Sequence, residues 1–176
     1  MNTRLIHKGQ RGLSLVELVI AIALTGIITS AITMTVFQVF NMNTRTSNRM
    51  AAVSQVQHAG KLVSEDIMQA KDVTLGGESG FPLILTWTEV VEDGNTYHVE
   101  YKLGDMSGGL KILWREYYVN RDIIPDPVSI TKVAEYIDPD QTSCNWDGSM
   151  LTFKVTARVG TESETRVYQV KPRPGS

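Results

Sequence analysis

The chain has 176 residues, a formal net charge of −2, three histidines and one cysteine. That length fits one modest domain plus an added element, the near-neutral balance gives no general attraction for nucleic acid, and a lone cysteine, Cys144, excludes an intramolecular disulfide framework. The average hides a split: residues 1–12 carry Arg4, Lys8 and Arg11 without an acid, a charge of +3, which leaves −5 on the rest.

The first predicted element follows that basic head. Leu18 to Thr44 contains no charged residue over 27 positions, more than the roughly 20 that a helix needs to cross a bilayer core. A basic head before an apolar run reads as a targeting signal, and its charge favours a cytoplasmic N-terminus. An ordinary secretory signal has its small-residue cleavage site after the apolar run, whereas here Gly12 stands before it. Glu17 lies inside the start of the run. A lone carboxylate in hydrocarbon costs several kcal/mol, so it should be paired or functional.

The stretch "RGLSLVELVIAIALTGI", Arg11 to Ile27, resembles the class III signal of type IV prepilins and pseudopilins. Arg11 and Gly12 precede the cut, Leu13 follows it, and Glu17 becomes the fifth mature residue. The resemblance implies that a prepilin peptidase cuts between Gly12 and Leu13 and N-methylates Leu13, where most members have phenylalanine. It also answers the question Glu17 raises. The new amine at Leu13 of one subunit can neutralise Glu17 of a neighbour inside a filament core, so Glu17 is expected to serve assembly. The alternative is a glutamate that snorkels or pairs with its own terminus.

No proline occurs before Pro82, so one helix is expected from Leu13 to about Val73. Its second half carries Val53, Val56, Gly60, Val63, Ile67 and Ala70 as one apolar stripe. Arg45, Arg49, Lys61, Glu65, Asp66 and Lys71 make it polar elsewhere. Gly26 and Gly60 read as tolerated glycines, and Gly76–Gly80 as the end of the helix. Strands are expected over Leu83–Val91, Tyr97–Leu103, Leu110–Val119, Ser149–Val159 and Thr165–Lys171, with Val128–Ile137 open between strand and short helix. Short turns between them argue for antiparallel pairing and an α+β domain. The expected organisation is a leader over 1–12, a transmembrane or filament-core helix over 13–44, an amphipathic helical half over 45–75 and a sheet domain over 81–174. The resemblance implies that this is the type IV pilin fold.

The sheet region also resembles J- or W-type minor subunits through Val99–Leu103, Leu110–Arg115, Ala134–Ile137, Trp146–Gly148 and Pro172–Arg173. Such subunits sit near the tip of a pseudopilus or pilus.

No constellation for catalysis is legible. His7, His58 and His98 lack metal-ligand spacing and read as solvent-exposed, and Cys144 reads as an inert thiol. Asp138, Asp140 and Asp147, with Asn145, share one loop that could offer oxygens to Ca²⁺. The same residue types are ordinary turn formers, so the loop reads first as a turn. Trp87, Trp114, Tyr117 and Tyr118 read as divided between core and surface.

The sequence therefore reads as a structural subunit without a cofactor and not as an enzyme: a minor pilin or pseudopilin. It is expected in the cell membrane with its sheet domain outside, then in a filament. Its partners would be lipid before assembly, other pilins through Leu13–Thr44, the prepilin peptidase and the inner-membrane assembly platform. The rival readings are a major pilin, a tip adhesin or DNA-uptake receptor, and a membrane-anchored enzyme.

Overall fold

The structure is a computed structural model that describes residues 14–88, 94–121 and 123–173. The chain divides into two units, Met1–Thr44 and Arg45–Ser176. One helix, α1 (Leu15–Gln69), supplies the whole described secondary structure of the first unit and the opening element of the second. The leader, Gly12 and Leu13 lie outside the described residues.

In the second unit α1 is followed by eight strands: β1 (Asp72–Leu75), β2 (Leu83–Thr88), β3 (Thr96–Asp105), β4 (Lys111–Val119), β5 (Ser129–Ile137), β6 (Ser143–Trp146), β7 (Leu151–Val159) and β8 (Glu162–Val170). The pairings are antiparallel, and the sheet runs β1-β2-β3-β4-β5-β7-β6 with β8 also on β7. Because β8 pairs along all of β7, β5 and β6 share the other edge of β7. β5 meets it only at Ile137–Ala157, and β6 at Leu151–Lys154. This is the α+β arrangement of the type IV pilin fold, a long N-terminal helix packed on an antiparallel sheet domain.

Alternation builds the core. Leu83 and Leu85 on β2, Val99 and Tyr101 on β3, Leu113 on β4, and Phe153, Val155 and Ala157 on β7 point to one face. Helical spacing brings Ala52, Val56, Ala59, Val63 and Ile67 against them. Val56, Val63 and Ile67 are fully buried, each worth about 2 kcal/mol in removed apolar surface.

Three expectations need correction. The helix stops at Gln69, not near Val73, and residues 72–75 of the expected helical half form β1. The cause is tertiary: the Lys71 amide donates to the Thr86 carbonyl at 2.8 Å, and the Arg173 amide donates to the Ala70 carbonyl at 3.2 Å, so the sheet captures the backbone there. Asp66 is not on the polar side but buried. Gly60 is no idle glycine: a Cβ there would stand 1.9 Å from the Tyr168 ring. Tyr168 lies across the helix at this point and donates its hydroxyl to the Val56 carbonyl at 3.1 Å. At Gly26, by contrast, a Cβ would meet nothing within 4 Å. The open segment Val128–Ile137 resolves as a strand, β5.

Candidate assembly surface

In the first unit every described residue is exposed, from Ser14 to Thr44. Ile20, Phe37 and Phe40 keep 54 %, 65 % and 67 % of their surface open. Such a run of bare aliphatic and aromatic side chains demands lipid or protein around it. The helix is long and apolar enough to cross a membrane. Glu17 sits in its first turn, exposed and the only ionisable side chain between Ser14 and Thr44.

One face of this segment is built of small residues. Ala21, Thr25, Gly26, Thr29, Ser30 and Thr33 form a shallow depression flanked by Ile22, Met34 and Phe37. Its hydroxyls are already satisfied. Thr25 donates to the Ala21 carbonyl, Thr29 to Thr25, Ser30 to Gly26 and Thr33 to Thr29, each at 2.8 Å. The polar atoms therefore turn inward onto their own helix, as an apolar surrounding requires. The face is then smooth enough for a neighbouring helix to approach closely.

The second unit ties its own helical part to the sheet with one buried polar knot. Asp66 accepts from Arg115 Nε at 2.7 Å and Arg115 Nη2 at 3.0 Å, a bidentate pair, and from the Tyr101 hydroxyl at 2.5 Å. Burial, the Asp66 charge and the hydrogen bond to it hold the Tyr101 hydroxyl well above the usual tyrosine range, so it stays a donor. The hydrogen bond to Asp66 keeps Arg115 charged against its burial. This is structural chemistry: the groups join α1, β3 and β4.

The remaining sequence candidates fall into ordinary roles. Asp147 is exposed, and its Oδ1 accepts from the Ser149 amide, the Ser149 hydroxyl and the Met150 amide, which hold its carboxyl below the usual range. Asp138 is buried, accepts from the Asp140 amide at 3.1 Å, and lies 3.8 Å from Arg158. Asp140 is exposed in the 3-10 turn Pro139–Gln141. Among the described residues no three His, Cys, Asp or Glu side chains gather in a way that could hold a metal ion. His58 is exposed, but His98 is half-buried and bonds Thr86 Oγ1 at 3.1 Å, because alternation on β3 sets it against β2. Cys144 is buried, and burial pushes its thiol up to about 12, which makes it inert. Trp87, Tyr97 and Tyr117 are half-buried and stack across three strands at 5.8 and 6.1 Å, with Trp87 and Tyr117 packed on the core. Tyr118 is buried under Arg121. Trp114 is also half-buried, so none of the four expected aromatics, Trp87, Trp114, Tyr117 and Tyr118, is an exposed surface residue.

Sequence reasoning missed a cluster of exposed aliphatics, Ile123, Ile124, Val128 and Ile130, at the start of β5. Its only signal is a run of branched apolar residues around Pro125 and Pro127, which reads equally well as buried strand.

In a comparison with protein-family models, residues 7–33 match the prokaryotic N-terminal methylation motif. The match spans Gly12, Leu13 and Glu17 and the first part of the bare apolar helix. The chain carries a class III prepilin signal and is type IV pilin-like. Comparison with curated proteins and with solved structures returned no match.

Proposed function

We propose that this type IV pilin-like chain is a minor pilin or pseudopilin that primes assembly or forms the tip of a type IV pilus or a type II secretion pseudopilus. In this reading a prepilin peptidase cuts between Gly12 and Leu13 and methylates the Leu13 amine. The mature protein waits as a single-pass membrane protein with its sheet domain outside, until the inner-membrane platform moves it into the filament. The observation that carries the reading is the prepilin motif standing directly on a helix segment whose every described residue is exposed. The methylation motif points to a structural subunit, not an enzyme. Assembly replaces lipid around Ser14–Thr44 with neighbouring helices, and van der Waals packing over the small-residue face drives the exchange. Glu17 then finds a neighbour's Leu13 amine, and that pairing sets the register. The loop acids serve their own turns, so the reading calls for no calcium.

The test is a count of surface filaments by electron microscopy in cells lacking the gene, beside a complemented strain. Loss restored by complementation supports a pilus-priming subunit. Unchanged filaments point to a secretion pseudopilus or to a tip role that assembly does not need. The Glu17 role is tested separately: Glu17→Ala should still be cleaved but should enter filaments poorly. Normal incorporation of that variant would remove the proposed pairing.

A further inference from the structure

We propose that Arg45 and Arg49 form a binding pair for a phospholipid phosphate where α1 leaves the far side of the membrane. The proposal rests on the reading that the apolar run spans a bilayer before assembly, and adds to it a named site and its ligand.

The position follows from the covalent length of the helix. Leu18 to Thr44 is 27 residues without a charge, about 40 Å at the rise of an α-helix. A bilayer measures about 30 Å across its hydrocarbon and about 40–45 Å with its headgroups. With Glu17 at one boundary, Arg45 falls in the headgroup layer of the other. Arg49 follows one turn later on the same face. It stands about 6 Å farther on, a distance that a long side chain covers by bending back toward the layer.

The charge pattern calls for an anion there. No Asp or Glu occurs between Glu17 and Glu65, yet Arg45, Arg49 and Lys61 lie in that interval. Basic residues normally gather on the cytoplasmic side of a span. Two arginines directly beyond the run, on the far side, stand against that bias. Lys61 lies farther along the helix and has Glu65 at 3.8 Å.

The side chains are disposed to bind. Arg49 is exposed and has no ion pair among the described residues. Arg45 meets Glu162, at the start of β8, through Nε at 3.0 Å and keeps 72 % of its side chain open. The turn between β7 and β8 closes tightly on the helix here, since a Cβ on Gly160 would come 2.6 Å from Asn48 Nδ2. Glu162 thus orients the guanidinium by one nitrogen and leaves both terminal nitrogens to face an oxyanion. An ion pair this exposed is weak, so it does not compete a phosphate away.

An acidic patch on a neighbouring subunit is the other anion that could meet the pair. The bilayer is the better fit, because helix length alone brings Arg45 to its headgroups before any neighbour arrives.

The test uses the full-length chain in nanodiscs of equal parts phosphatidylethanolamine and phosphatidylglycerol. Native mass spectrometry counts the phospholipid that each chain keeps when the disc is stripped away. The leader cations are present in every variant and cancel in the comparison. Arg45→Gln/Arg49→Gln should keep about twentyfold less phospholipid, and Arg49→Gln alone about fivefold less, on the scale of one basic residue at an anionic surface. Arg49 has no ion pair to lose, so its variant should also leave the melting of the sheet domain unchanged. Arg158→Gln/Arg166→Gln, which removes the same charge from the sheet, should keep as much lipid as the parent, and excess inorganic phosphate should not displace it. Parental retention in the Arg45→Gln/Arg49→Gln variant, an equal loss in the sheet variant, or displacement by inorganic phosphate overturns the proposal alone. An Arg45→Gln/Arg49→Gln chain that keeps its lipid but fails to enter filaments also overturns it and identifies a neighbouring subunit as the anion. A chain that does not enter the nanodisc at all overturns the spanning reading and the proposal together.

Discussion

The same helix solves two opposite problems along its length. From Ser14 to Thr44 its apolar residues face outward without cover, while from Ala52 to Ile67 they are buried at helical spacing against a sheet of the same chain. Composition alone does not separate them, since both stretches hold valine, isoleucine and alanine. What differs is the polar company. The first stretch has hydroxyls folded back on their own carbonyls and no charge after Glu17, so it suits a surrounding without water. The second mixes exposed charges such as Lys61 and Glu65 with a buried carboxylate, Asp66, that already has its partners. The second half is thus completed within the chain, and the first is completed only by lipid or by other subunits.

This contrast can be broken at named positions. All three tryptophans, Trp87, Trp114 and Trp146, lie in the sheet, so their fluorescence in the full-length chain reports melting of the sheet domain. Asp66→Ala should have the largest effect, about 3–5 kcal/mol, because it leaves Arg115 and the Tyr101 hydroxyl without their shared acceptor. A loss below about 1 kcal/mol would mean that the knot does not hold helix to sheet. Gly60→Ala should cost about 1–3 kcal/mol by forcing a methyl into the Tyr168 ring. Gly26→Ala, the same change where nothing lies near, should leave the fluorescence melt unmoved. Equal shifts for the two glycine variants would erase the distinction between the halves.

A smaller effect sharpens the account of the outer sheet face. Burial pushes Glu116 up, but hydrogen bonds from Lys102 and Tyr118 and the nearby cations outweigh it and hold its carboxyl below its ordinary 4.5. A depressed carboxylate stabilises the fold above its unfolded value and loses that contribution as the pH falls through the folded value. Lys102 is partly exposed, so the contribution is on the order of 0.5 kcal/mol. Glu116→Gln should therefore lower the melting temperature slightly at neutral pH, and the difference should close as the pH falls below 4.5. The smallest expected effect is that of calcium. A titration should release no heat and shift no melt, because Asp138 and Asp147 already accept from their own turns.

The parts legible in the sequence are those whose partners are close by or chemically generic. The uncharged run to Thr44 and the motif around Gly12 need no tertiary knowledge, and long alternating strands such as Leu151–Val159 announce themselves. Short or distant relations do not. β1 and β6 have four residues each and are strands only because β2 and β7 pair with them. Gly60 looks idle until Tyr168, far along the chain, is laid across it. Asp66 follows Glu65 and reads as surface, yet Arg115 and Tyr101 draw it inside. The bareness of β5 was hidden for the same reason, since exposure of a strand edge depends on which strand fails to arrive.

The most direct test of the central claim, that the bare helix is a processed assembly surface, is the intact mass of the protein recovered from cell membranes, with fragmentation of its N-terminus. The account predicts a chain that begins at Leu13, carries one added methyl group on the terminal nitrogen, and retains the helix through Thr44. A chain that still begins at Met1, or one cut after the apolar run, would contradict it.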